Sequence, residues 1–289
     1  FYRGGPILMS AIAGIDQALW DLKGRDLGVP VHQLLGGACR DKMRMYAWTG
    51  GDKPSDVGAG AKALVDKGFT AFKMNGTAEM AIVDSHAKVD EAVAPVAEAR
   101  DAVGPDVGIG IDFHGRVHRP MAKALLRELE PYHPMFVEEP VPQENPDALK
   151  RVQEQVPFPL ATGERLLSRW EFREVIEKQA VSLLQPDVAH CGGPSELKRI
   201  ANYAEVYYQH IMPHCAIGPL ALAACMLVDA VVPNFLIQEQ VDAGLGNGLL
   251  KKPWVVKDGH IDLWDTPGLG VEVDEVEATK EYDGETSGY

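Results

Sequence analysis

The chain has 289 residues, of which 46% are hydrophobic, so it is long and apolar enough for a large buried core and unlike a disordered chain. Its 28 lysines and arginines stand against 42 aspartates and glutamates, which gives a formal charge of −14. This excess of negative charge argues against nucleic acid and anionic membrane surfaces as partners, and an anionic substrate would need a local positive group such as a metal ion.

The first predicted element is an amphipathic helix over about residues 10–25, with Ile12, Ile15, Leu19 and Leu22 on one stripe. Short apolar runs then alternate with helical patterns. The runs predict eight strands, at 43–48, 70–75, 107–113, 134–140, 159–164, 182–187, 210–215 and 235–240. The helical patterns predict seven helices, at 56–67, 81–103, 120–130, 145–155, 168–178, 194–207 and 219–230.

This alternation predicts an α/β fold with parallel strands covered by helices. Eight strand units in one chain fit a closed (β/α)₈-type TIM barrel better than an open doubly wound sheet, which stays the alternative. No GxGxxG motif follows the first strand, as it would in a dinucleotide-binding doubly wound fold.

Three regions are expected along the chain. Residues 1–40 form a helical junction, and residues 41–240 form the barrel. Residues 241–289 form a C-terminal segment that packs back on the barrel or on a capping domain, with a strand pair around "WVVKDGHIDL" and a frayed end after Glu281. Because the chain opens on Phe1 without an initiator methionine, we expect that residues precede it.

The cysteine pattern indicates a reducing compartment. The four cysteines are scattered without CxxC spacing, which predicts reduced thiols in a cytoplasmic protein. The chain contains no run of 18 apolar residues and does not open on a basic, then apolar segment. We therefore expect neither a membrane span nor a signal peptide.

Polar residues stand at the carboxyl ends of the predicted strands. Such ends converge on one face of a barrel, and this face carries the chemistry of the fold. Because side chains alternate along a strand, Asp112 and His114 point into the same mouth. The full set is Lys73, Asn75, Asp112, His114, Glu138, Glu139, Glu164, Asp187, His214 and Glu239.

Three of these acids predict a metal site. Asp112, Glu138 and Glu164 end consecutive strands at intervals of 26 residues, and three carboxylates so close together need a cation to offset their repulsion. Oxygen ligands favour a hard ion, most simply one Mg²⁺ per subunit. The alternative is that each acid is merely solvated or caps a helix. Glu139 alternates away from Glu138 and is expected to be a structural partner.

Two histidines are candidates for proton transfer. His214 and Asp187 end neighbouring strands, so the carboxylate is expected to orient the imidazole as a general base. His114 is expected across the same mouth. The "HC" pairs at 190–191 and 214–215 suggest zinc only weakly, because adjacent residues of a strand point to opposite sides.

Several motifs together resemble the mandelate racemase subgroup of the enolase superfamily, and more specifically its D-galactonate dehydratase members. The resemblance covers nearly the whole chain. It is carried by "DFHGR" at 112–116, "VEEP" at 137–140, "ATGERLLSRWEF" at 161–172, "QPDVAHCGG" at 185–193, "PHC" at 213–215 and "IQEQ" at 237–240.

The resemblance implies a role for each of these residues. It assigns the metal to Asp112, Glu138 and Glu164, as the spacing predicts. It also implies a (β/α)₇β variant of the barrel and an N-terminal α+β capping domain that is mostly absent from this chain. It implies a base at His214 supported by Asp187, an acid at His114, enolate stabilisation by Lys73 and Glu239, and substrate contacts from Asn75, His114, His214 and Glu239.

One departure from the family bears on the reaction. Racemases of this subgroup carry Lys-x-Lys on the second strand, whereas this chain has Lys73, Met74 and Asn75. The resemblance therefore implies dehydration of an aldonate to a 2-keto-3-deoxy acid, with D-galactonate favoured over D-gluconate, rather than racemisation or epimerisation. A barrel that binds metal without catalysis is the alternative of another class. We also expect a homo-oligomer, between a dimer and an octamer.

Overall fold

The computed structural model describes residues 4–50, 56–77, 80–241, 245–246 and 248–282. Eight short parallel strands alternate with helices along the chain. The strands are β1 Lys42–Trp48, β2 Ala71–Asn75, β3 Gly108–Asp112, β4 Phe136–Glu138, β5 Leu160–Thr162, β6 Leu183–Leu184, β7 His210–Ile211 and β8 Gln238–Gln240. The helices are α1 Pro6–Leu27, α2 Val31–Leu34, α3 Val57–Asp66, α4 His86–Val103, α5 Arg119–Leu129, α6 Pro146–Gln153, α7 Arg169–Glu177, α8 Gly193–Glu205 and α9 Pro219–Asp229.

The sheet closes into a barrel. The strands pair in the order β7-β6-β5-β4-β3-β2-β1-β8, and each of these pairs is parallel. Ile211 of β7 also pairs with the segment just before β8: its N–H donates to the Asn234 carbonyl at 2.9 Å, and its own carbonyl accepts from Leu236 N–H at 2.9 Å. This closure confirms the TIM-barrel prediction over the open sheet.

Apolar side chains fill the lumen below the mouth. They alternate with residues that face the helices, as a strand period of two requires. Gly110 leaves space in this layer, because a Cβ on Gly110 would overlap the ring of Phe136. The lumen is therefore a packed core, formed by Tyr46, Ala71, Phe136, Ala161, Leu183, Met212 and Ile237.

Helix α1 starts earlier than predicted and turns its apolar stripe to solvent. Pro6 occupies its first turn, a position where a missing N–H costs nothing. The helix docks on α8 through Asp16, whose carboxylate accepts from Ser195 N–H at 2.9 Å and from Ser195 Oγ at 2.7 Å. The predicted stripe exists, but it is exposed: the residues Ile12, Ile15, Leu19 and Leu22 are 38%, 62%, 58% and 64% accessible.

Two glycines of α1 give a matched prediction about packing. A Cβ on Gly24 would lie 2.6 Å from the Cα of Gly268, whereas a Cβ on Gly14 meets nothing within 4 Å. Gly14→Ala should raise the free energy of unfolding by roughly 0.5–1 kcal/mol through helix propensity. Gly24→Ala should lower it by about 1–3 kcal/mol, because backbone must move. Urea denaturation measures both changes, and equal effects would contradict this close approach.

The C-terminal segment differs from the predicted hairpin. Strand β9, His260–Asp262, pairs antiparallel with the start of β1, where Met43 faces Ile261. The expected partner within the segment contributes only a single bridge between Lys257 and His260. The tail therefore extends the barrel wall below β1, and a last helix, α10, follows at Glu275–Tyr282. Most of the predicted frayed end after Glu281 lies outside the described residues.

Two further expectations concern boundaries and membranes. Helix α4 begins at His86 rather than near residue 81, because the Asp84 carboxylate accepts from the N–H of Ala81 at 3.0 Å and of Ser85 at 2.8 Å and holds a turn there.

Among the described helices, none is both long and apolar enough to cross a bilayer.

Candidate active site

Three acids meet at the mouth of the barrel. Strand pairing aligns Asp112 of β3 with Glu138 of β4, and Glu164 lies two residues beyond β5. One carboxylate oxygen from each lies within 4.8 Å of the others. Within the described part of the chain, no other group of three or more acid, histidine or cysteine side chains has metal-binding spacing. The weak zinc alternative at the "HC" pairs therefore has no support there.

Lys73 points from β2 into this acidic ring. Its Nζ lies 2.7 Å from Glu138 Oε2, 2.7 Å from Glu239 Oε1 and 3.2 Å from Asp112 Oδ2. Burial disfavours the ammonium form, but the three carboxylates outweigh it and hold the pKa of Lys73 well above its ordinary value. Lys73 is therefore held in its positively charged form among three carboxyl groups.

The acids of the ring outnumber Lys73, and a hard dication fits the negative charge that remains. Glu138 is fully buried, and its Oε1 has no hydrogen-bond partner among the described residues. Burial and the neighbouring Asp112 raise the pKa of Glu138 well above its ordinary value even though Lys73 lowers it. A buried carboxylate oxygen without a donor is costly, and a cation bound by Asp112, Glu138 and Glu164 would satisfy it.

His214 is held between two carboxylates. Its Nδ1 lies 2.6 Å from Asp187 Oδ2, and its Nε2 lies 3.0 Å from Glu164 Oε2. Because a carboxylate only accepts, Nδ1 carries the proton shared with Asp187. Burial lowers the pKa of His214, but the charge of Glu239 and the bonds to Asp187 and Glu164 raise it well above its ordinary value. Nε2 must give up its proton before it can act as a base.

Glu239 closes the ring from β8. It is buried, and its Oε2 accepts from Cys215 N–H at 3.2 Å while lying 3.8 Å from His214 Nε2. Burial raises the pKa of Glu239, but Lys73 and His214 lower it by more, so this pKa lies below its ordinary value. Glu239 thus places a negative charge beside both Lys73 and His214.

His114 lies at the rim rather than within the ring. Its backbone is left-handed, with a φ of 51°, and its N–H donates to Asp112 Oδ1 at 2.7 Å. This turn directs the imidazole toward the mouth, where Nε2 lies 3.4 Å from Asp112 Oδ2 and the side chain is 28% exposed. A group that remains reachable from solvent can exchange protons with a substrate hydroxyl.

Glu139 behaves as the expected structural partner. It also has a left-handed backbone, with a φ of 40°, and its buried carboxylate accepts two bonds from Arg165, at 3.1 Å and 2.7 Å. Burial raises the pKa of Glu139 to about 7, although the Arg165 bonds lower it. The Glu139 carbonyl accepts from Gly115 N–H at 3.0 Å, so the pair supports the loop that carries His114.

The Arg165 contact gives a prediction on stability. Arg165→Met removes both donors from a buried carboxylate, and we expect a loss of about 1–3 kcal/mol in the free energy of unfolding. Lys178→Met is the control, because its ion pairs with Asp147 and Glu174 are exposed and screened by solvent, so their loss should change stability much less. Chemical denaturation at neutral pH compares them, and similar losses would contradict the role given to Arg165.

The polar residues predicted at the strand ends meet at one mouth of the barrel, and an aromatic residue that was not predicted lies beside them. Asn75 is buried at the end of β2, aligned with Asp112 of the next strand. Trp48 ends β1 and was not among the predicted residues, because its side chain is aromatic rather than charged or strongly polar. Its indole lies 5.0 Å from Lys73 Nζ and 5.8 Å from the His114 ring, measured to ring centroids. An aromatic residue ending a barrel strand was the available signal.

Comparison with known proteins identifies the family. Residues 56–277 match the family model of the enolase C-terminal domain-like region, and residues 1–36 match that of the mandelate racemase / muconate lactonizing enzyme N-terminal domain. The chain belongs to the enolase superfamily. Among solved structures of this superfamily, a Salmonella Typhimurium member is 32% identical with a TM-score of 0.88, covering 96% of this chain and 78% of that one.

Other relatives are more similar in sequence. A D-galactonate dehydratase of Pectobacterium atrosepticum is 52% identical over 283 residues, covering 95% of this chain and 74% of that protein. A D-galactonate dehydratase of Ralstonia pickettii is 53% identical over 292 residues, covering 97% and 76%. A mandelate racemase/muconate lactonizing enzyme-like structure from Rubrobacter xylanophilus is 36% identical with a TM-score of 0.88, covering 94% and 76%.

Proposed function

We propose that this enzyme is a Mg²⁺-dependent hydro-lyase that converts an aldonate to its 2-keto-3-deoxy acid, with D-galactonate as the favoured substrate. The observation that carries the proposal is the arrangement of two separate imidazoles, His214 paired with Asp187 and His114 at the rim, around one ring of acids. Relatives named as D-galactonate dehydratases, 52% and 53% identical, support the substrate. Two imidazoles suit dehydration because one must start neutral and the other protonated.

The net reaction removes one molecule of water from the substrate: a proton leaves C2, and a hydroxyl leaves C3. The C2 proton beside a carboxylate is a very weak acid, so negative charge must be stabilised as it develops on the carboxylate oxygens. Asp112, Glu138 and Glu164 would hold a Mg²⁺ ion that supplies this stabilisation when bound. Lys73 adds a fixed positive charge at the same place.

His214 accepts the C2 proton at Nε2. Asp187 keeps the other ring proton on Nδ1, so the free nitrogen points into the mouth. Glu239 lies 3.8 Å from that nitrogen and stabilises the imidazolium that forms. The two acids therefore set the tautomer and the charge of the base, and their contacts are already present around His214.

His114 donates its proton to the departing C3 hydroxyl. Its exposure at the rim allows it to be reprotonated from solvent between turnovers. Asn75 takes the place where racemases of this subgroup carry a second lysine, and we propose that it hydrogen-bonds the substrate instead. A second base on the opposite face of C2 is then missing, which disfavours racemisation. The enol left after water departs becomes the 2-keto-3-deoxy acid.

The test compares two sugar acids. With Mg²⁺ present, D-galactonate should yield a 2-keto-3-deoxy acid, and its kcat/KM should exceed that of D-gluconate, which differs at C4. Removal of divalent ions with EDTA should stop the reaction, and Mg²⁺ should restore it. No product from either acid would overturn the proposal, whereas faster turnover of D-gluconate would overturn only the substrate. The cytoplasmic location and the homo-oligomer stay predictions.

A further inference from the structure

We propose that Trp48 is a positioning residue that holds the imidazole of His114 against the rim and so serves the dehydration step specifically. This inference rests on the proposed function and goes beyond it, because it assigns a residue that carries no reactive group. Trp48 ends β1, and its Cα is paired with that of Lys73 in β2. Trp48 therefore stands between the ring of acids around Lys73 and the rim of the barrel mouth, where His114 lies.

The indole touches one group on each side. Lys73 Nζ lies over its face, 5.0 Å from the ring centroid, and the His114 ring meets it in an edge arrangement, with centroids 5.8 Å apart and planes at 66°. Both distances lie within the range where aromatic and cation contacts are attractive. The indole N–H donates to the Gly50 carbonyl, which fixes the plane of the ring.

Lys73 and His114 depend on the indole to different extents. Lys73 is held by Asp112, Glu138 and Glu239 at 3.2 Å or less, so it does not depend on the indole. The His114 side chain is 28% exposed, and its Nε2 is 3.4 Å from Asp112 Oδ2, too loose to fix the ring alone. The indole edge contact is the further contact that would limit rotation of the His114 imidazole.

A loosened acid should slow one step more than the other. Proton donation to the C3 hydroxyl needs His114 within hydrogen-bond reach, and a displacement of about 1 Å can cost on the order of 100-fold in rate. Proton abstraction at C2 uses His214, which is held by Asp187 and Glu164 and has no described contact with Trp48. Trp48 should therefore set the ratio of C2 exchange to dehydration.

The experiment uses Trp48→Leu and Trp48→Phe with D-galactonate and Mg²⁺ in D₂O. For Trp48→Leu we expect dehydration to fall about 10- to 100-fold while C2 exchange falls less than about threefold. Trp48→Phe retains an aromatic face and should recover most of the dehydration rate. A parallel fall of both steps in Trp48→Leu would overturn the proposal, because it would indicate a general disturbance of the barrel mouth.

A second measurement does not depend on turnover. The indole should shift the ring-proton resonances of His114, identified by their loss in His114→Asn, in spectra of protein with labelled histidine. The shift should vanish in Trp48→Leu and persist in Trp48→Phe, and an unchanged resonance in Trp48→Leu would overturn the contact. If the wild-type protein dehydrates no sugar acid, the proposed function fails, and this spectrum still decides whether Trp48 holds His114.

Discussion

His214→Asn should reduce exchange of the C2 proton of D-galactonate with solvent deuterium by roughly 100- to 10,000-fold, the contribution of one positioned general base. Asparagine keeps a polar side chain beside Asp187 but has no nitrogen that accepts a proton at neutral pH. Dehydration should be lost with it, since no later step proceeds without the enolate. Proton NMR of substrate recovered from D₂O, with Mg²⁺ present, measures the exchange.

His114→Asn is the matched variant. It should stop dehydration to a similar extent and retain C2 exchange within about tenfold, because His214 and Asp187 are intact. Circular dichroism should show the same fold in both variants. If both variants lose exchange equally, the division of roles between the two histidines is wrong, although the fold is not.

Glu138→Gln should weaken Mg²⁺ binding by roughly 100-fold or more, because it removes the charge of one of three carboxylate ligands, the one with an oxygen that has no donor. Activity at low Mg²⁺ should fall in parallel. Isothermal titration of metal-free protein with MgCl₂ measures the affinity directly, without substrate.

The next residue provides the control. Glu139 is as buried as Glu138, but its carboxylate binds Arg165 instead of facing the ring. Glu139→Gln should change Mg²⁺ affinity by no more than about tenfold, which is the lower end of the losses expected for a residue that supports metal ligands without binding the metal. Equal losses in the two variants would mean that the metal is not bound where Asp112, Glu138 and Glu164 converge.

Sequence alone predicted the barrel and the composition of its mouth because both follow from local rules. Eight apolar runs separated by helical patterns leave few alternatives to a closed parallel sheet. Acids that follow buried runs must gather where the strands end, and this rule predicts that Asp112, Glu138 and Glu164 meet. The pairing of His214 with Asp187 follows from the same neighbour rule.

Other features depend on contacts that no local pattern carries. The left-handed turn at His114 is fixed by its N–H bond to Asp112 and by the Glu139 carbonyl beneath Gly115. The exposed stripe of α1 was readable as a stripe, but its orientation is set by Asp16 bonding to Ser195 on a helix 179 residues away. A helical stripe in the sequence does not reveal which face of the helix such a long-range contact turns toward the barrel.

The most direct test of the account is the product formed from D-galactonate in D₂O by the wild-type protein with Mg²⁺. Abstraction by His214, loss of the C3 hydroxyl through His114 and ketonisation of the enol predict a 2-keto-3-deoxy acid that carries solvent deuterium at C3. Carbon and proton NMR of the reaction mixture locate that label. Recovery of the C2 epimer with deuterium at C2, and no keto acid, would contradict the account and indicate an epimerase.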